Sequence, residues 1–183
     1  MPVVSGSSSR DVATSLAPLM GMQYIELESR RFPDGEGYVR VPSDAIDAVR
    51  SEPVVLVSNT YPDSGIVNTV LLLEAIAEVR RGNLSNLKGE EPQNMEDVGS
   101  GVYLAIPYYG YSRQDKRFSK GEAVSARVIA DILARGCDGI AILDLHEPAV
   151  LKDMEVPIEF VSSMPEIAEL LQNEVSPDFV LSP

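Results

Sequence analysis

Three short runs in this chain are apolar from end to end: Val54-Val55-Leu56-Val57, Val102-Tyr103-Leu104-Ala105-Ile106 and Gly139-Ile140-Ala141-Ile142-Leu143. A strand sends alternate side chains to opposite faces, so a run with no polar residue must be covered on both. Between these runs, about 65–81 and 123–134, apolar residues recur at helical spacing. Strands buried on both faces and alternating with helices predict an α/β fold with a mostly parallel sheet.

The other elements fit that frame. Val3-Val4 reads as a short strand running into Ser5-Gly6-Ser7-Ser8-Ser9, and 10–20 as a helix. Residues 24–27 and 38–41 read as strands on either side of a turn at 32–37. Gly136 stands where a helix ending near 134 is expected to cap. Residues 157–160 and 179–181 read as strands, and 165–173 as a helix opened by Pro165. Residues 82–101 are rich in Gly, Asn, Glu and Pro with little apolar periodicity, and read as a long inserted surface loop.

At 183 residues and 44% hydrophobic, the chain suffices for one well-cored domain, or one domain and part of another. The net charge of −13 argues against nucleic acid as a main partner, because neutralising phosphates takes many basic side chains. The acidity fits a solvated surface or adaptation to a salty cytoplasm. No apolar run approaches the ~20 residues of a membrane span, and no basic, apolar leader opens the chain. Cys137 is the only cysteine, so no intrachain disulfide forms and a reducing cytoplasm is the default compartment. It reads as a small buried residue.

Chemistry concentrates in four segments. The run 102–106 opens into Pro107-Tyr108-Tyr109-Gly110-Tyr111, then into Arg113, Gln114, Asp115, Lys116, Arg117 and Lys120. A positive island in an acidic chain, at the C-terminal end of a strand, suits an anionic ligand. The plainer reading is a solvated salt-bridge loop closed by Asp115, Arg117 and Glu122. His146, the only histidine, follows the third apolar run beside Asp144 and Glu147, where it can help hold a partly hydrated Mg²⁺ or carry a proton. The turn Phe32-Pro33-Asp34-Gly35-Glu36 sets an aromatic ring beside two carboxylates, suited to a base or simply to a hairpin. The serines at 5–9 suit either an anion cradle or an N-capping turn.

Together, in this order and approximate spacing, the segments Val4-Ser5-Gly6-Ser7-Ser8-Ser9, Arg31-Phe32-Pro33-Asp34-Gly35-Glu36, Pro107 to Phe118 and Asp144-Leu145-His146 resemble ribose-phosphate diphosphokinase (phosphoribosyl pyrophosphate synthetase). The resemblance runs from residue 3 to 183, looks most like the archaeal branch, and is carried most specifically by Tyr-Gly-Tyr-Ser-Arg-Gln-Asp-Lys at 109–116. It implies two similar α/β domains of phosphoribosyltransferase type. The first, ATP-binding and assembly domain would span 1–150, with 82–101 as an inserted loop, and 151–183 would begin the second. It implies transfer of the β,γ-diphosphoryl group of ATP to the 1-hydroxyl of ribose 5-phosphate with Mg²⁺, in a homo-oligomer, dimer or hexamer. Phe32, Asp34, Gly35 and Glu36 of one subunit would meet ATP held by Arg113, Gln114, Asp115 and Lys116 of another. His146 would sit at the Mg²⁺–phosphate site.

The chain also departs from the family pattern. The family continues beyond a Ser-Pro pair like Ser182-Pro183 into an Asp, a flexible Lys/Arg catalytic loop and an Asp-Asp loop for ribose 5-phosphate, and none of these lies within the 183 residues. No catalytic residue is therefore expected inside the chain, and the chain by itself is expected to bind ATP weakly and make no product. Residues 147–157 diverge from the family's Gly-Phe-Phe run after the histidine, which puts the shape of the metal loop in question. The rival readings are a non-catalytic regulatory or assembly paralogue and, more weakly, a phosphoribosyltransferase.

Overall fold

The computed structural model describes residues 1–82, 84, 97–99 and 101–174. The apolar runs form the middle of one sheet. β1 (Val3–Ser5), β5 (Val54–Val57), β6 (Val102–Ile106) and β7 (Gly139–Leu143) lie side by side. β2 (Tyr24–Glu26) and β8 (Ile158–Val161) form the edges, giving the order β2-β1-β5-β6-β7-β8 with every pairing parallel. This is the α/β, mostly parallel architecture that the apolar runs predict.

Side-chain alternation splits the core in two. Val4, Leu56, Leu104, Ile106, Ile140 and Ile142 pack under α3 (Asp63–Arg81) and α4 (Ser125–Ala134). On the opposite face, Val3, Val55 and Val57 pack under Ala13 and Ala17 of α1 (Arg10–Leu19). Among the described residues no helix covers that second face over β6 to β8, where Tyr103 is 45% exposed. An apolar hollow there is lined by Leu16, Met20, Val55, Tyr103, Ala141 and Ile158.

Two elements escaped the sequence reading. β3 (Glu28–Arg31) pairs antiparallel with β4 (Gly37–Arg40) as a hairpin that packs on α3. β3 is Glu-Ser-Arg-Arg and has no apolar signature; its partner strand and the Glu28–Arg40 ion pair supply what its sequence lacks. The short helix α2 (Ile46–Ser51) buries Val49 and leads into β5.

Two turn expectations are corrected. Gly136 is not a left-handed cap: α4 ends at Arg135 with αR backbone, and Gly136 is absent from the positive-φ glycines. A Cβ at Gly136 would sit 3.0 Å from Leu73 Cβ, so close helix packing requires the glycine. The αL cap belongs to Gly82, φ 82°, at the end of α3. Ser5 ends β1, and Ser7–Ser9 form a 3-10 turn with no side-chain cap. Ser9 Oγ instead accepts from the Asn59 N–H, joining two loops.

The sheet continues past residue 150, since β8 pairs with β7 from Ile140↔Ile158 to Leu143↔Val161. α5 (Met164–Glu174) follows and buries no residue. Most of 82–101, and the strand expected at 179–181, lie outside the described residues.

Candidate functional site

All parallel strands present their C-terminal ends on one side, and the loops there carry the candidate residues. β6 and β7 are neighbours in register Ile106↔Ile142, so the loops after them start side by side. This brings the cationic segment and His146 together across 31 residues of sequence: His146 Nδ1 lies 2.9 Å from Asp115 Oδ2.

The root of the cationic loop is fastened from several directions. Asn59 Oδ1 accepts from Tyr108 N–H, and Thr60 Oγ1 accepts from Gly110 N–H at 2.7 Å. A Cβ on Gly110 would fall 2.4 Å from Thr60 O, so no other residue fits without moving backbone. Tyr109 is buried and donates to Ala126 O, and burial drives its hydroxyl pKa well above the usual tyrosine value. Tyr111, at φ 64°, donates to Asp63 Oδ1 at 2.7 Å, which raises its pKa.

The tip is different. Among the described residues Arg113, Lys116, Arg117 and Lys120 have no carboxylate within ion-pair distance. The salt-bridge loop is thus not what forms. Arg117 Nε donates to the Glu122 carbonyl, while the Glu122 carboxylate accepts from Phe118 and Ser119 N–H, which holds its pKa below the usual glutamate value. Lys116 Nζ lies 5.5 Å from the Phe118 ring centre. Arg113 makes no hydrogen bond among the described residues and is exposed. The tip presents bare cations on an anchored root, an arrangement that suits an incoming anion.

Asp144 ends β7 at φ 49°, and its carboxylate accepts from both Ser163 N–H and Ser163 Oγ–H, which lowers its pKa. Ser163 is a residue that sequence reasoning missed; its own segment carries no signal. Leu145 is buried, so His146 directly follows the Asp144 clasp and a core anchor, with its side chain 58% exposed. Glu147 turns away, with Oε1 accepting from Ala149 N–H. Among the described residues no three His, Cys, Asp or Glu side chains gather into a metal cage. One imidazole nitrogen, Nε2 of His146, is without a partner there. That donor set fits a hard cation that keeps most of its water and takes its remaining ligands from a phosphate.

The Phe32 turn comes from a different part of the chain, between β3 and β4. It closes the β3–β4 hairpin, with Phe32 N–H donating to Glu36 O and Glu36 N–H donating to Asp34 Oδ1. Phe32 is 39% exposed, packs edge-on against Tyr38, and has the Arg30 guanidinium 4.9 Å from its ring centre. No hydrogen bond or ion pair among the described residues joins this turn to Arg113 or His146.

Residues 99–136, spanning β6, the cationic loop and α4, match the family described as the N-terminal domain of ribose phosphate pyrophosphokinase. The ribose-phosphate pyrophosphokinase of Methanothermobacter thermautotrophicus is 36% identical over 170 residues, 91% of this chain and 52% of that protein. The Halobacterium salinarum enzyme of the same name is 34% identical over 99% of this chain and 57% of its own length. The chain is related to the N-terminal part of the ribose-phosphate pyrophosphokinases. It spans about half the length of the curated relatives it matches. The fold agrees: a phosphoribosylpyrophosphate synthetase from Mycobacterium smegmatis superposes with a TM-score of 0.71, at 18% identity, over 94% of this chain and 51% of that one.

Proposed function

We propose that this chain forms the ATP-holding part of a ribose-phosphate diphosphokinase, which transfers diphosphate from ATP to the 1-hydroxyl of ribose 5-phosphate and releases AMP for nucleotide biosynthesis. The observation that carries the reading is the tip of the 107–122 loop: cations without carboxylate partners, beside the open nitrogen of the only histidine. Phosphoryl transfer asks the protein mainly for positioning and for positive charge around spreading negative charge. Arg113 supplies a planar donor fork to the phosphates, with Lys116 adding charge and Gln114 a neutral donor and acceptor. His146, through Nε2, would help hold a Mg²⁺ ion, which would supply positive charge to the diphosphoryl group. Phe32 offers a face to the adenine, while Asp34, Gly35 and Glu36 offer acceptors to its amino group and neighbouring atoms.

Among the described residues no hydrogen bond or ion pair links the Phe32 turn to the Arg113 loop, which supports a site closed by a second copy. We assign ribose 5-phosphate to the half of the relatives' length that this chain does not span. The metabolic role of the relatives supports a cytoplasmic setting. No helix among the described residues is long and apolar enough to cross a membrane. The relatives compared above are all named as pyrophosphokinases or synthetases, which favours the enzyme reading over an assembly paralogue.

Calorimetry with Mg-ATP, at chain concentrations that permit self-association, tests the reading. Wild type is expected to bind, and Arg113→Ala to bind about tenfold or more weakly, the loss of one charge-assisted contact. No binding by wild type, or equal binding by Arg113→Ala, counts against it.

A further inference from the structure

Asp115 differs from its neighbours on the cationic loop. Arg113, Lys116 and Arg117 are exposed, whereas the Asp115 side chain is only 6% exposed. Its Oδ2 meets His146 Nδ1 at 2.9 Å, and its Oδ1 is buried with no hydrogen-bond partner among the described residues. The carboxylate is thus turned inward, toward the histidine.

We infer that Asp115 is a positioning residue that holds the proton of His146 on Nδ1 and leaves the lone pair on Nε2, aimed at the ligand side. A neutral imidazole has one donor nitrogen and one acceptor nitrogen. With a bare Nδ1, two acceptors would face each other at 2.9 Å, and both oxygens of a nearly buried carboxylate would lack a donor. With the proton on Nδ1, one oxygen is satisfied and the ring plane is fixed. The backbone at His146 is held independently, by the Asp144–Ser163 clasp and by buried Leu145. Asp115 therefore acts on ring orientation and tautomer rather than on the course of the chain. A carboxylate behind a metal-facing histidine commonly tunes that histidine's affinity for the ion. The inference about the cation rests on the proposed placement of Mg²⁺ at His146; the inference about the tautomer does not.

The chain holds a single histidine, so a ¹⁵N-histidine-labelled sample gives one imidazole. Long-range ¹H–¹⁵N correlation spectra recorded where the ring is neutral should show a pyrrole-like Nδ1 and a pyridine-like Nε2. Asp115→Ala should move the ring toward the Nε2–H tautomer. Asp115→Asn, which keeps an acceptor in place, should retain Nδ1–H. Added Mn²⁺-ATP should broaden the His146 ring protons, with roughly 10–100-fold weaker cation affinity in Asp115→Ala. A wild-type Nε2–H tautomer overturns the inference, and needs no variant to fold. An unchanged tautomer in Asp115→Ala overturns it as well. A correct tautomer with no Mn²⁺ broadening instead sinks the placement of the cation and leaves Asp115 as the residue that orients His146.

Discussion

Gly110 shows how closely single atoms govern this site. Its missing side chain lets the cationic loop lie against the Thr60 carbonyl. Gly110→Ala must displace backbone on one side or the other and is expected to cost about 1–3 kcal/mol, read from urea unfolding. Its damage should extend to ATP affinity, because Arg113 rides on the same root. Glu122 offers a pH test at the tip. Its pKa is lowered by the Phe118 and Ser119 N–H groups, so the ordering it provides is complete above the ordinary glutamate range and fades as pH falls through the lowered value. The amide shifts of Phe118 and Ser119 should titrate together with a midpoint below that of free glutamate. Titration at or above the free value would mean that the contact does not persist in solution. The candidate residues were legible as residue types in sequence, but the partners that orient them were not. Asp115 reads in sequence as a loop carboxylate and, by resemblance, as a contact to ATP, and only the adjacency of β6 and β7 brings it against His146.

Among the elements, α3 and α4 are held differently from α5. Leu72, Leu73 and Ile76 of α3, and Ala126, Ala130 and Leu133 of α4, are buried against the sheet. α5 buries none of its residues, and Ile167 and Leu170 are exposed. Helices draw most of their stability from packing an apolar face, so amide exchange should be far faster in α5 than in α3. Equal protection would show that α5 finds a packing partner in solution. At the end of α3, Arg80 donates to the carbonyls of Val49, Glu52 and Gly99, stitching the end of α2 to the approach to β6. Arg80→Met strips one buried and two part-buried carbonyls of a charged donor and is expected to cost about 2–4 kcal/mol in the same unfolding assay. A cost near zero would mean that water replaces the guanidinium. The sequence announces α3 through its period, yet it gives no hint of β3, whose polar residues become a strand only because β4 lies beside them.

At the scale of the whole molecule, the parallel sheet sets the candidate site by placing every strand's C-terminal loop on one side. The sequence by itself determined the parallel α/β architecture, because runs apolar on both sides of the pleat leave a chain few other ways to bury them. It also carried the resemblance to the ribose-phosphate pyrophosphokinases, because 109–116 combine residue types that are informative even before folding. Local spacing further fixed α1, α3, α4 and α5 to within a few residues. Tertiary structure alone decided that Asp115 faces His146 rather than solvent, that Gly136 serves packing rather than capping, and that Ser9 bridges loops rather than starting a helix. It also decided that β8 continues the sheet beyond residue 150. The physical reason is the same in each case. Burial patterns and turn chemistry are written along the chain within a few residues, whereas a hydrogen bond between loops depends on which strands become neighbours, and that emerges only when the sheet assembles.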